Sequence, residues 1–151
     1  MRAAITALAR DRDRGFTFDA VYCVLDVEST GQRAGIQKAR RLAEQNRIVL
    51  VLSNSCCEVW LLAHFERTAA SFNDCSDVIS RLNHHWKQLL KREYQKGDEG
   101  VYEALAGWLN EALRNAVDVR EGHFRDVKDT VDCNSSTEVH RLMGVLGLAE
   151  E

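Results

Sequence analysis

The chain has 151 residues, 45% of them apolar, and a formal net charge of -3 at pH 7. That length and apolar content suit one core and one domain over residues 1–151, and the slightly acidic balance excludes a globally basic nucleic-acid coat while leaving room for a local phosphate-binding strip. No apolar stretch approaches the roughly 20 residues of a membrane span, and no signal-peptide-like apolar region opens the chain, so a cytoplasmic location is expected.

Met1 to Asp11 reads as a helix with Ile5 and Leu8 on one face and arginines at its end, where the helix dipole favours cations. Ala20 to Leu25 is a continuous apolar run bounded by turn signals, the pattern of a strand covered on both faces. After Ser29-Thr30-Gly31, the residues Ile36, Ala39, Leu42 and Ala43 keep helical spacing up to Asn46, with Arg33, Lys38, Arg40 and Arg41 on a solvated face. Ile48 to Leu52 is a second apolar run. Strand, helix and strand in that order predict a right-handed crossover between parallel neighbours, with chemistry at the carboxyl ends of the strands.

Cys56 to Phe65 reads as a short helix opened by a capping box, in which Ser55 caps and Glu58 bonds back three residues later. That structural task competes with any metal role for Glu58. Asn73 or Asp74 then caps a longer helix with Val78, Ile79, Leu82, Trp86 and Leu89 as its apolar stripe, flanked by His84 and His85. Residues 94–98 form a loop, and Val101, Leu105, Trp108, Ala112 and Ala116 predict one helix from Glu99 that ends before Gly122. Glu121 to Cys133 reads as a long surface loop. Ser135 to Glu138 repeats the capping-box pattern ahead of a helix with Val139, Leu142, Met143 and Leu146 inward. The fold class is therefore α/β, with parallel central strands flanked by helices.

Five cysteines, including the adjacent Cys56 and Cys57, show no CxxC spacing, which favours reduced, buried thiols over a disulfide framework or a zinc site. Asp26 and Glu28 lie two apart where the first strand gives way to a loop, so their side chains point the same way. Two such carboxylates suffice for one Mg²⁺ or Mn²⁺ ion with waters and phosphate oxygens, although on spacing alone solvated loop acids are the simpler reading.

Four stretches carry a family resemblance. Val21 to Glu28 resembles a hydrophobic strand ending in a D-x-D-type pair, and Ser53 to Phe65 resembles S-N-P-C-F-E-L-W-L-L-L-H-F. Lys96-Gly97 with Val101-Tyr102 resembles K-G-x-x-x-(I/V)-Y, and Asn134 to Leu142 resembles N-P-S-T-x-V-H-x-L. In this order they are similar to the RloB-like family, a Toprim-related group found beside restriction and phage-defence genes in bacteria and archaea. Ser55 and Ser135 stand where that family usually has proline, and Glu28 where it has aspartate. Nothing before Asp26 resembles its first-strand E-G-x-x-(T/S)-E motif, so the chain resembles a member lacking the N-terminal strand and helix, with a truncated Toprim-like sheet.

The resemblance implies a Toprim-type, metal-dependent nuclease that cleaves phosphodiester bonds of DNA or RNA in phage-defence or restriction-associated loci, impaired by the missing glutamate. Asp26 and Glu28 would hold Mg²⁺ or Mn²⁺ and act in catalysis with Glu58, while Ser53, Asn54, Lys96, Thr137 and His140 would serve the phosphates. For Lys96 and His140, a solvated loop lysine and a helix-surface histidine are equal alternatives. A second hypothesis is a non-catalytic partner-binding module or decayed fragment, with an ATPase encoded nearby as its partner. The exposed sheet edge would also invite a homo-oligomer. A third, thiol chemistry at Cys56 and Cys57, relies on a helix start lowering a thiol pKa but has no base placed by the sequence.

Overall fold

A computed structural model describes residues 1–27, 33–124 and 129–148. Two strands, β1 (Tyr22–Asp26) and β2 (Val49–Asn54), pair in parallel from Tyr22 opposite Val49 to Asp26 opposite Ser53. The helix α1 (Arg2–Asp13) precedes β1, and α2 (Arg33–Asn46) makes the crossover between the strands. The α2 residue Ala43 packs with Leu8 of α1 and with Ile48, while Ile36 packs with Val27 and Leu52. Burying these apolar groups on one side of the strand pair is what fixes the crossover. The strands are not wholly covered, because Val24 is 44% exposed and lies on the outer strand of the sheet.

A third strand, β3 (Ser136–Thr137), runs antiparallel to β2, with Ser53 opposite Thr137 and Asn54 opposite Ser136. Among the described residues the sheet order is β1-β2-β3. This overturns the second capping box, because Ser136 and Thr137 are strand residues and Glu138 itself sits at the cap of α7 (Val139–Val145) without a side-chain cap bond. The Glu138 carboxylate turns back into the sheet. Its Oε2 accepts the Leu52 N–H at 3.0 Å, its Oε1 accepts the Thr130 hydroxyl at 2.6 Å, and its own N–H donates to the Leu52 carbonyl at 2.8 Å. A buried strand edge leaves no donor to water, so satisfying the Leu52 amide outweighs capping a helix end.

After β2 come α3 (Glu58–Ala63) and α4 (Cys75–Leu90), the latter capped by Asp74, which accepts from the N–H groups of Ser76 and Asp77. The predicted stripe holds, with Val78, Leu82 and Trp86 buried. One helix was expected from Glu99, but the segment divides into α5 (Val101–Leu105), a 3₁₀ turn over Ala106–Trp108 and α6 (Leu109–Phe124). Gly107 sits in the break, as its poor helix propensity allows, whereas Gly122 lies exposed within α6, where the helix runs on through it. The expected long loop thus gives up its first part to α6 and contains a 3₁₀ turn over Thr130–Asp132. Ser135 has φ +68°, and its hydroxyl donates to the Thr68 carbonyl at 3.2 Å.

Two further links correct the reading of the side chains. Arg40 is not on a solvated face, since both its terminal nitrogens meet the Asp129 carboxylate at 2.6 Å. Cys56 and Cys75 form a disulfide across a Cα–Cα distance of 5.7 Å, joining the end of the β2–α3 turn to the first residue of α4. Their separation of 19 residues has no recognisable spacing, which is why the sequence reading treated them as thiols. No described helix is long and apolar enough to cross a membrane.

Replacing Glu138 with alanine leaves two buried donors unpaired, and an unsatisfied buried donor costs about 1–3 kcal/mol. The urea unfolding midpoint of Glu138→Ala should therefore fall by the equivalent of about 2–4 kcal/mol, with Glu138→Gln less affected. A wild-type midpoint in the alanine variant would refute this use of the carboxylate. A second expectation concerns acid. Hydrogen bonds from Arg40 hold the Asp129 carboxyl down to about 2 from the ordinary 3.8, against an opposing push from burial. The folded value lies below the unfolded one, so this stabilisation is present above pH 3.8 and disappears as the pH falls to about 2. Acid-unfolding curves of wild type and Asp129→Asn should converge over that window.

Candidate functional site

The register of the sheet assembles one row at its carboxyl end. Asp26 closes β1 opposite Ser53, and Ser53 lies opposite Thr137. The Val27 N–H donates to the Ser53 carbonyl at 2.8 Å, and the Ser53 and Thr137 hydroxyls share a 2.8 Å hydrogen bond. Asn54 donates through Nδ2 to the carbonyls of Thr130 and Val131 at 3.1 and 2.9 Å. Ser53, Asn54 and Thr137 are buried and bonded to the protein itself, so they hold the strand ends that carry Asp26. His140 donates through Nδ1 to the Thr137 carbonyl at 2.9 Å. Burial lowers its pKa, which keeps the imidazole neutral near pH 7. Glu28 lies outside the described residues.

Glu58 is the first residue of α3 and is 1% exposed. The expected capping box is absent: Cys57, not Ser55, occupies the cap position with helical dihedrals, and no described side chain caps the helix. The carboxylate is drawn to stronger partners. Its Oε1 accepts from the Tyr94 hydroxyl at 3.3 Å and faces Lys96 Nζ at 3.3 Å. Its Oε2 accepts from the Cys57 thiol at 3.5 Å and lies 3.2 Å from Cys75 Sγ. The carboxylate is buried while Lys96 stays largely exposed, and the charge-assisted contact together with the Tyr94 hydrogen bond replaces the cap bond.

The loop carrying Tyr94 and Lys96 is pinned to α4. The Tyr94 N–H donates to Asn83 Oδ1 at 2.7 Å, the Tyr94 ring stands edge-on to Trp86 at 5.5 Å, and Arg92 pairs with Asp98. Gly97 has φ +82°, a turn conformation that a side chain rarely adopts, and it lets the chain reverse just after Lys96.

The electrostatics tie these groups into one patch. The Cys57 thiol, on an exposed residue, is pushed up to about 12 by partial loss of water, then by Glu58 and Asp26. A helix start does not activate it. Loss of water pulls Lys96 down, but the Glu58 carboxylate, with Cys57 and Asp26 behind it, raises it overall. Burial and Glu58 likewise raise the Tyr94 hydroxyl. Asp26 and Glu58 therefore act on the same thiol and the same ammonium. Alongside, Trp60, Leu61, His64, Val101, Tyr102 and Met143 help line an apolar groove of about 510 Å³.

A family model described as RloB-like protein matches residues 1–146. The chain belongs to the RloB-like family. No curated protein and no solved structure matches it. In this RloB-like chain, the row Asp26, Ser53 and Thr137 and the pair Glu58 and Lys96 come from different stretches of the sequence and meet at one pole of the sheet. Tyr94 and Cys75 were missed as neighbours of Glu58, since neither has a sequence spacing that relates it to residue 58. Glu138 was visible only as a capping residue.

With the Cys57 thiol pushed up to about 12, its alkylation near pH 8 should be roughly 10²–10³-fold slower than that of an unfolded cysteine peptide. Glu58→Gln removes one cause of the shift and should speed the reaction. Mass spectrometry of the Cys57 peptide against time tests this, and a rate equal to the peptide's would overturn it.

Proposed function

We propose that this RloB-like protein is a Toprim-type, divalent-metal-dependent nuclease acting on phosphodiester bonds of DNA or RNA. What carries the reading is the joint action of Asp26 and Glu58 on Lys96 and Cys57, which puts a strand-end carboxylate and a buried carboxylate in one patch. A buried acid with no capping task needs a cation, and Lys96 is a partner whose own side chain remains 57% exposed.

The donor set fits a hard cation. Carboxylate oxygens are what Mg²⁺ and Mn²⁺ take, and Asp26 and Glu28 are the proposed ligands, with Glu58 completing the acidic set. Such an ion supplies charge neutralisation at a phosphate and a more acidic bound water. The chain's own groups do the rest. Ser53 and Thr137 fix the height of Asp26, Tyr94 orients Glu58, and Lys96 is free to exchange its carboxylate for a phosphate oxygen. In this reading Glu58 takes a proton when Lys96 leaves it. The neutral His140 serves Thr137 more than any phosphate.

A second reading is a partner-binding module without turnover, with an ATPase encoded nearby or a second copy as the partner. It draws on the apolar groove, beside which Tyr102 and Leu146 are 66% and 58% exposed.

The experiment is Mn²⁺-dependent cleavage of plasmid, single-stranded DNA and RNA substrates. Asp26→Ala and Glu58→Gln should each lower the rate by roughly 10²-fold or more, since positioned proton transfer and metal stabilisation each contribute on that scale. Cleavage that survives Asp26→Ala would refute the nuclease assignment. No cleavage of any substrate by the wild type would leave the binding module as the better reading.

A further inference from the structure

The two oxygens of Glu58 face different chemistry. Oε1 meets the hydrogen-bearing groups of Tyr94 and Lys96, whereas Oε2 lies 3.2 Å from Cys75 Sγ and 3.5 Å from Cys57 Sγ. The sulfurs of Cys56 and Cys75 and a Glu58 oxygen all lie within 4.8 Å of one another. Cys56 and Glu58 are buried and Cys75 is half-buried, in a shell made by Val59, Leu62, Phe72 and Val78.

A disulfide sulfur has no proton to donate. In the oxidised chain, Oε2 therefore has only the weak Cys57 S–H donor and stands against the lone pairs of Cys75, which is poor compensation for a buried carboxylate. The same contact becomes favourable once a cation occupies the space between them. We propose that in the reduced protein Cys56, Cys75 and Glu58 bind one Zn²⁺ ion, with the Cys57 sulfur or a water as fourth ligand. Zinc takes thiolate and carboxylate ligands in tetrahedral sites, and a dry apolar shell suits such a site. Two thiolates and a carboxylate give the Zn²⁺ site one net negative charge, which Lys96 on the far oxygen offsets.

The chemistry closes on itself. A dithiol reductant gives two electrons and two protons to the Cys56–Cys75 bond, which opens to two thiols while the reductant becomes its own disulfide. Zn²⁺ then takes the two sulfurs as thiolates, and their two protons go to solvent. Oxidation with release of zinc is the reverse. The proposal shares Glu58 with the nuclease reading but does not rest on it, because it needs only the two cysteines, Glu58 and the apolar shell.

The test is a Zn²⁺ titration against a chromogenic chelator, using full-length protein either reduced and kept anaerobic or fully oxidised. Reduced wild type should bind one equivalent at least 100-fold more tightly than the oxidised form. Cys75→Ser should lose that difference, and Glu58→Gln should weaken binding by roughly tenfold or more. Co²⁺ in place of zinc should give a thiolate charge-transfer band in the reduced wild type, which reports the ligands without relying on a variant that folds. Reduced wild type binding no more tightly than the oxidised protein, a Co²⁺ adduct without that band, or unchanged affinity in Glu58→Gln would each overturn the proposal.

Discussion

A strand buried along both edges must find a partner for every backbone group, and β2 meets that demand with a side chain as well as with strands. On one edge it has five residues of β1, but on the other β3 offers only Ser136 and Thr137. The Leu52 amide and carbonyl lie just beyond β3's reach, and Glu138 takes both, one through its carboxylate and one through its backbone. The same carboxylate reaches Thr130, so the 3₁₀ turn, the third strand and α7 are all set against β2 by one acidic residue. Asp26, Ser53 and Thr137 line up at the carboxyl end as a result of that arrangement.

The second constraint is electrostatic. Glu58 is placed where water cannot reach it, at the start of a helix whose sequence offers it a cap, yet it turns to Tyr94, Lys96 and two sulfurs. A carboxylate so surrounded raises the proton affinity of each acidic neighbour and of Lys96, and the directions for Cys57, Tyr94 and Lys96 all agree with that. The pole of the sheet thus gathers Asp26 and Glu58, with Lys96 as a counter-charge.

How much of this was legible in the sequence follows from how local each signal is. The strands β1 and β2 and the helices α2 and α4 are written in apolar runs or 3.6-residue spacing, and they formed close to where those patterns lie. Asp26 at a strand end was legible for the same reason. The strand β3 was not, because two buried polar residues have no alternation to read. Both Ser-x-x-Glu patterns read locally as capping boxes, and in both the glutamate turns to tertiary partners instead of the helix end. Nor could the sequence show that Cys75, rather than the adjacent Cys57, pairs with Cys56, since that depends on how α4 docks beside α3.

Ser135 limits which residues the turn into β3 accepts. Its backbone lies at φ +68°, and a proline ring holds φ near -65°. Proline is therefore a residue that this backbone does not accept. Placing proline here would require the turn between Asn134 and Ser136 to be rebuilt, together with its bond to Thr68 and its lead into β3.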